Sequence, residues 1–132
     1  MAYTEEMASP DASPLTGLSH LQLHVSDMDA SAAWYEQVLG MEETGRVAGR
    51  YIGLQAVGGQ IRLALSPGGM PNSSGALNHV AFAVSDFDAL TSWVEHLSAM
   101  GISHQGIKPN PLGHSVDLFD PDGNNIEIVS ES

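Results

Sequence analysis

The chain has no cysteine among its 132 residues. Disulfides, thiolate metal sites and cysteine nucleophiles are excluded, and any metal must rest on nitrogen and oxygen donors. Positive charge is scarce as well: four Lys and Arg stand against 16 Asp and Glu, a formal net charge of -12 at pH 7. A chain of that sign is repelled by phosphate backbones and anionic bilayers, so neither nucleic acid nor a membrane surface is an expected partner. No apolar run approaches the roughly 18 residues of a membrane-spanning helix. The opening MAYTEEMASPDASP lacks the basic start and apolar core of an export signal, and a cytoplasmic protein is the expectation. Aromatics make up only 6%, but 42% hydrophobic content is enough for one compact core at this length.

What the chain does have is a repeat. Leu18 to Glu36, LSHLQLHVSDMDASAAWYE, returns from Leu77 to Glu95 as LNHVAFAVSDFDALTSWVE, with nine of nineteen positions identical, among them His20/His79, Asp27/Asp86 and Trp34/Trp93. Two copies are too few for a solenoid and suggest one supersecondary unit used twice within one domain. Residues 1–17 are rich in Ser, Pro, Ala and acid without hydrophobic period, and read as a flexible tail. Module one spans about 18–66, a turn-rich linker 67–76, and module two about 77–130.

Each module reads as β-α-β-β-β. In module one the strict alternation after Ser19 is a half-buried strand, with Leu21, Leu23 and Val25 on one face and His20, Gln22 and His24 on the other. Asp27 or Asp29 caps the following helix, Gly40 ends it, and strands follow at about 41–46, 51–56 and 60–66. Trp34 and Trp93 read as packing between helix and sheet. In module two the strands are expected at 78–84, 102–106, 115–119 and 125–129, with the helix over 88–100. The last two strands are joined by the DPDGN turn at 120–124. The fold class is α+β, two tandem βαβββ modules making one domain.

The period of two also sorts side chains onto faces. Placing the apolar residues toward the helices leaves His20, Gln22, His24, Arg62, His79, Ser115, Asp117 and Glu127 on the opposite, inner faces. A polar inner side without bulk describes a cavity better than a packed core. Two imidazoles and a carboxylate make it a metal-site candidate.

These motifs resemble the vicinal oxygen chelate superfamily, which groups glyoxalase I, extradiol dioxygenases, fosfomycin thiol transferases and bleomycin-resistance proteins. The resemblance covers about Leu18 to Val129. It rests on the histidine opening each module, in SHLQLHVSD and NHVAFAVSD, on the helix segment WYEQVLGM and on the closing hairpin FDPDGNNIEIV. It implies paired modules forming a cup around one divalent metal, and a homodimer sharing the cup between chains. The metal positions it carries over are His20, position 64, His79 and Glu127. Position 64 is Ala64 here, where glyoxalase I has a carboxylate, so two histidines and one glutamate remain. That set suits Fe(II) or Mn(II), with Zn(II) or Ni(II) as alternatives.

Around this site His24 is a candidate acid/base or hydrogen-bonding partner of a bound substrate, or else a histidine simply hydrogen-bonded deeper in the cup, and Gln22 is a candidate pocket residue. Arg62 either clamps a substrate carboxylate or pairs, buried, with Asp117. Tyr51 points into the cup or lies exposed on its strand. Ser115 and Asp117 complete the substrate-binding candidates, and Lys108 either guards the entrance or is solvated. Among reactions on a vicinally oxygenated small molecule, a dioxygenase-like one needs only the triad, an acid/base and an apolar cup. A fosfomycin-type thiol transferase would need anion-binding residues that Asp117 opposes. A glyoxalase-like lyase or isomerase lacks the fourth ligand. A metal-free sequestering protein, as among bleomycin-resistance proteins, is the non-enzymatic alternative.

Overall fold

Residues 15, 18–68 and 79–131 are described by the computed structural model. The tail at 1–17, Leu15 apart, and all but the first two residues of the linker at 67–76 lie outside the described residues. The alternation after Ser19 becomes β1 (Leu21–Val25), which buries Leu23 and Val25 and exposes Gln22 and His24. The Asp27 carboxylate accepts from Ala30 N–H at 3.0 Å and starts α1 (Met28–Leu39). Gly40, at φ 71°, ends it in the left-handed conformation that glycine adopts without strain. The helix turns Ala32, Tyr35, Val38 and Leu39 inward, a spacing of three and four that lays one stripe on the sheet. Three antiparallel strands follow: β2 (Glu42–Val47), β3 (Tyr51–Gln55) and β4 (Arg62–Pro67).

Module two repeats the plan with β5 (His79–Val84), α2 (Phe87–Ala99), β6 (Lys108–Asn110), β7 (Gly113–Phe119) and β8 (Asn125–Ser130). Asp86 caps α2 as Asp27 caps α1, accepting from Ala89 N–H at 2.8 Å. The strands form two mixed four-stranded sheets, β1-β4-β3-β2 and β5-β8-β7-β6, with β1 parallel to β4 and β5 parallel to β8. Each helix crosses one face of its own sheet. The other face is helix-free.

One expectation needs correction. The second strand of module two lies at Lys108–Asn110 rather than at 102–106. Residues 102–107 instead form a loop bracketed by Gly101 and Gly106, both at positive φ, and tied by the His104 ring: Nδ1 accepts from Gly106 N–H at 3.0 Å while Nε2 meets Ser98 Oγ at 2.9 Å. Pro109 is tolerated in β6 because this strand is an edge, where a missing N–H costs no ladder bond.

The modules share one hydrophobic core running from Leu23, Tyr35 and Leu65 to Leu90, Leu118 and Ile128. Trp34 and Trp93 are half-buried against that core, as read from the sequence. Polar contacts reinforce the junction. The DPDGN turn of module two reaches α1, where Tyr35 Oη donates to Asp120 Oδ2 at 2.7 Å and Asp122 accepts from Ser26 N–H at 3.2 Å and Ser31 Oγ at 3.5 Å. At the other end of the helix, the His96 Nε2–H donates to Val38 O at 2.9 Å.

Candidate metal centre

Register fixes which side chains share the helix-free faces. In module two β5 pairs His79 with Asn125 and Ala81 with Glu127, and β7 pairs Asp117 with Glu127 and Ser115 with Val129. Neighbours in register project to the same side of a sheet. His79, Asn125, Glu127, Asp117 and Ser115 therefore lie on one helix-free face, while Val80, Ile126, Val116 and Leu118 are buried under α2. The same rule in module one places Gln22 beside Ala64 and His24 beside Ser66, with Arg62 and Gln55 at the next step. His20 immediately precedes β1 and is exposed; Ser19 Oγ lies 3.0 Å from its Nδ1. Both faces carry the residues expected of them.

The two modules align position by position through these registers. Leu21 pairs with Leu63 as Val80 pairs with Ile126. It follows that Ala64 occupies in module one the place that Glu127 occupies in module two, and Arg62 the place of Asn125. Position 64 is thus alanine by register as well as by sequence count, with no carboxylate there.

Among the described residues no three His, Asp or Glu side chains of one chain converge closely enough to hold a metal ion. His20 and Arg62 border a cavity of about 320 Å³ whose far wall is Val80 to Ala83 of the edge strand β5. His79 and Glu127 lie on the helix-free face of that second sheet. The donor set suits a divalent ion chemically, with two imidazoles and one carboxylate.

Polar satisfaction is uneven around Glu127. Four buried side-chain atoms lack a partner among the described residues: His114 Nδ1, Ser115 Oγ, Asp117 Oδ1 and Asn125 Oδ1. The last three belong to the face that carries Glu127. Buried polar atoms are seldom left unpaired in a finished structure, so this face has hydrogen-bonding capacity waiting to be used. The other Asp117 oxygen is taken by Lys108 Nζ. That contact holds the Lys108 ammonium above the ordinary lysine range, with Glu127 adding a smaller push in the same direction.

Of the two readings of Arg62, the buried pair with Asp117 is not met: Arg62 is exposed on β4 of the first sheet, and Lys108 on β6 beside β7 takes one oxygen of that carboxylate. The entrance lysine is accordingly an ion-pair partner whose side chain remains largely exposed to solvent. Tyr51 stands on the helix-free face, 42% exposed.

Residues 17–128 match the family model of the Glyoxalase/Bleomycin resistance protein/Dioxygenase superfamily. The chain belongs to this superfamily. An uncharacterized protein of Pseudomonas aeruginosa is 34% identical over 120 residues, covering 84% of this chain and 86% of that one. A glyoxylase/bleomycin resistance protein/dioxygenase domain from Frankia sp. EAN1pec is 28% identical, with a TM-score of 0.72 over 87% of this chain and 97% of that one. At fold level the chain is similar to lactoylglutathione lyase from Agrobacterium tumefaciens, with 24% identity, a TM-score of 0.73, and 89% and 96% coverage. A fosfomycin resistance protein of Listeria monocytogenes, FosX, determined with Mn(II) and 1S,2S-dihydroxypropylphosphonic acid, gives 21% identity, a TM-score of 0.69, and 87% and 90% coverage.

Within this superfamily fold two residues of the site escaped sequence reasoning. Ser66 extends the alternation Arg62, Ala64, Ser66, and reading the strand one step further finds it. Asn125 stands two residues before Glu127, on the same face by the period of two. Ser66 was attached to no motif, and Asn125 stood inside FDPDGNNIEIV without a role assigned to it.

Proposed function

We propose that the protein is a divalent-metal-dependent enzyme acting on a vicinally oxygenated small molecule, with dioxygenase-like chemistry, as a homodimer in the cytoplasm. His20, His79 and Glu127 are the metal ligands. The observation that carries this reading is positional: His79 and Glu127 share one helix-free face a strand apart, and His20 holds the matching place in module one. Ala64 leaves the set at three, the number that keeps coordination positions free for substrate. A metal held there supplies Lewis acidity and a template for two adjacent oxygens.

The residues of the chain supply the rest. Ser19 Oγ engages His20 Nδ1 at 3.0 Å, which leaves Nε2 as the ligating atom. Asp117 Oδ1, Ser115 Oγ and Asn125 Oδ1 offer acceptors to the donor groups of a substrate. Gln22, Tyr51 and Arg62 form the opposing polar wall, and His24 is the acid/base. The support for sharing the site between two copies is that His20 belongs to one sheet and His79 and Glu127 to the other, without meeting in one chain. The open edges of β1 and β5 give a second copy something to cover.

The test is metal content of the purified protein beside a Glu127→Ala variant, followed by thermal unfolding with Fe(II), Mn(II), Zn(II) or Ni(II). Stoichiometric metal and a raised melting temperature in the wild type, both lost in the variant, are expected. If no ion binds and none stabilises, the metal reading fails and ligand sequestration replaces it. Oxygen uptake with a panel of catechols then checks the subclass; turnover only with a thiol cosubstrate would replace dioxygenase-like chemistry by thiol transfer.

A further inference from the structure

We infer that Ser66 is a positioning residue that acts with the Pro67 carbonyl to hold His24 in a single tautomer, with Nδ1 protonated and Nε2 presented as a proton acceptor. The inference rests on the assignment of His24 as the acid/base and adds the device that prepares it.

The geometry is a closed set of hydrogen bonds. His24 Nδ1 lies 3.1 Å from Ser66 Oγ and 3.2 Å from Pro67 O. Gln22 Nε2 donates to Ser66 Oγ at 3.2 Å, and Ser66 Oγ reaches Leu23 O at 3.5 Å. A carbonyl oxygen can only accept, so the Pro67 contact requires a proton on Nδ1. The single hydroxyl proton of Ser66 goes to Leu23 O, the other carbonyl in reach. Its two lone pairs then receive Gln22 Nε2–H and His24 Nδ1–H. The Ser66 proton and both its lone pairs are then used, and the contact to Pro67 O is made only by the Nδ1–H form of the ring.

Comparison of the two modules shows that the fold does not require this arrangement. The register partners His24 and Ser66 correspond to Ala83 and Val129, and Gln22 corresponds to Ala81. Module two builds the same strand pair with apolar residues. Ser66 is only 6% exposed and Val129 4%, so one copy buries a hydroxyl where the other buries a methyl pair. Burying a hydroxyl gives no advantage over valine for packing. The polar set exists only on the side that carries His24.

The consequence is a defined proton path. A substrate hydroxyl or an acidic C–H next to a bound oxygen gives its proton to Nε2, and the electron pair stays on the substrate. The imidazolium so formed keeps its Nδ1–H on Pro67 O and Ser66 Oγ, and the return step delivers the proton from Nε2. Nothing in the set rearranges during either transfer.

The test uses ¹⁵N-labelled full-length protein without added metal, at a pH near 8, where an ordinary histidine is neutral. Long-range ¹H–¹⁵N correlation should show His24 with a pyrrole-like Nδ1 and a pyridine-like Nε2. Ser66→Ala, which leaves Pro67 O as the one remaining acceptor for Nδ1–H, should move the two nitrogen signals part-way toward each other, and Ser66→Thr, which keeps the hydroxyl on a β-branched strand residue, should restore the wild-type pattern. A wild-type ring protonated at Nε2, or a Ser66→Ala variant with unchanged ring signals, overturns the inference. A purely packing role for Ser66 would alter stability and leave the tautomer alone. The readout needs neither metal nor turnover, so failure of metal binding counts against the proposed function and not against this assignment.

Discussion

Tyr35 shows how one side chain ties packing to solution behaviour. Its ring is fully buried, and burial followed by the neighbouring Asp120 carboxylate pushes its hydroxyl above the ordinary tyrosine range. The folded state therefore resists forming tyrosinate while the unfolded chain does not. A group whose folded pKa is raised stabilises fully below its unfolded value, about 10 for tyrosine, and that contribution is lost as pH rises beyond it. Wild-type stability is expected to fall above pH 10 with a component of about 1.4 kcal/mol per pH unit from this residue. Tyr35→Phe should flatten that limb. At neutral pH the same variant should cost roughly 1.5–3 kcal/mol, the worth of a hydrogen bond to a charged acceptor. Asp120 would keep its bonds from Asp122 N–H, Asn124 N–H and Asn124 Nδ2. Urea denaturation at several pH values checks both statements, and an unchanged alkaline slope in Tyr35→Phe would contradict the first.

Among the elements, the β7–β8 hairpin carries Glu127 and Asp117, and its geometry depends on a glycine at its base. A Cβ added to Gly113 would collide with Ser130 O on the paired strand. Backbone cannot swing aside as a flexible side chain can, so Gly113→Ala should cost more than about 2 kcal/mol and should disturb the side chains of β7 first. Chemical denaturation measures the cost; a variant as stable as wild type would show that the strand shifts freely. Elements of this kind were legible to differing degrees. β1, α1 and β8 followed from local signals: alternation, an Asp cap, a Gly stop, a DPDGN turn. The position of β6 did not, because Ile102 to Gly106 offers better strand composition than Lys108-Pro109-Asn110. What placed β6 was pairing with β7, a contact no local pattern encodes. One of the two readings of Arg62, its pair with Asp117, failed for the same reason, since Lys108 reaches that carboxylate only once β6 lies beside β7.

At the scale of the molecule, the repeat and the face assignment were readable because sequence period maps directly onto sheet geometry. The meeting of the faces was not, because it depends on how two modules, and then two chains, are put together. Within a chain the modules are latched by the shared core, by Asp120 and Asp122 against α1, and by His96 on Val38 O. That latch leaves His20 apart from His79 and Glu127, which the proposed site reconciles by taking His20 from a second copy. The idea has a test that ordinary knockouts lack. His20→Ala and Glu127→Ala should each abolish metal binding alone. If each site joins His20 of one chain to His79 and Glu127 of the other, a mixed dimer of the two variants has one site with all three ligands and one with both substitutions. Unfolding the variants together and refolding them at equal ratio makes about half the dimers mixed, so about a quarter of wild-type metal stoichiometry should return. If all three ligands belong to one chain, no pairing restores a site and the mixture stays metal-free. Sedimentation of the wild type as a monomer at micromolar concentration would exclude the shared site independently.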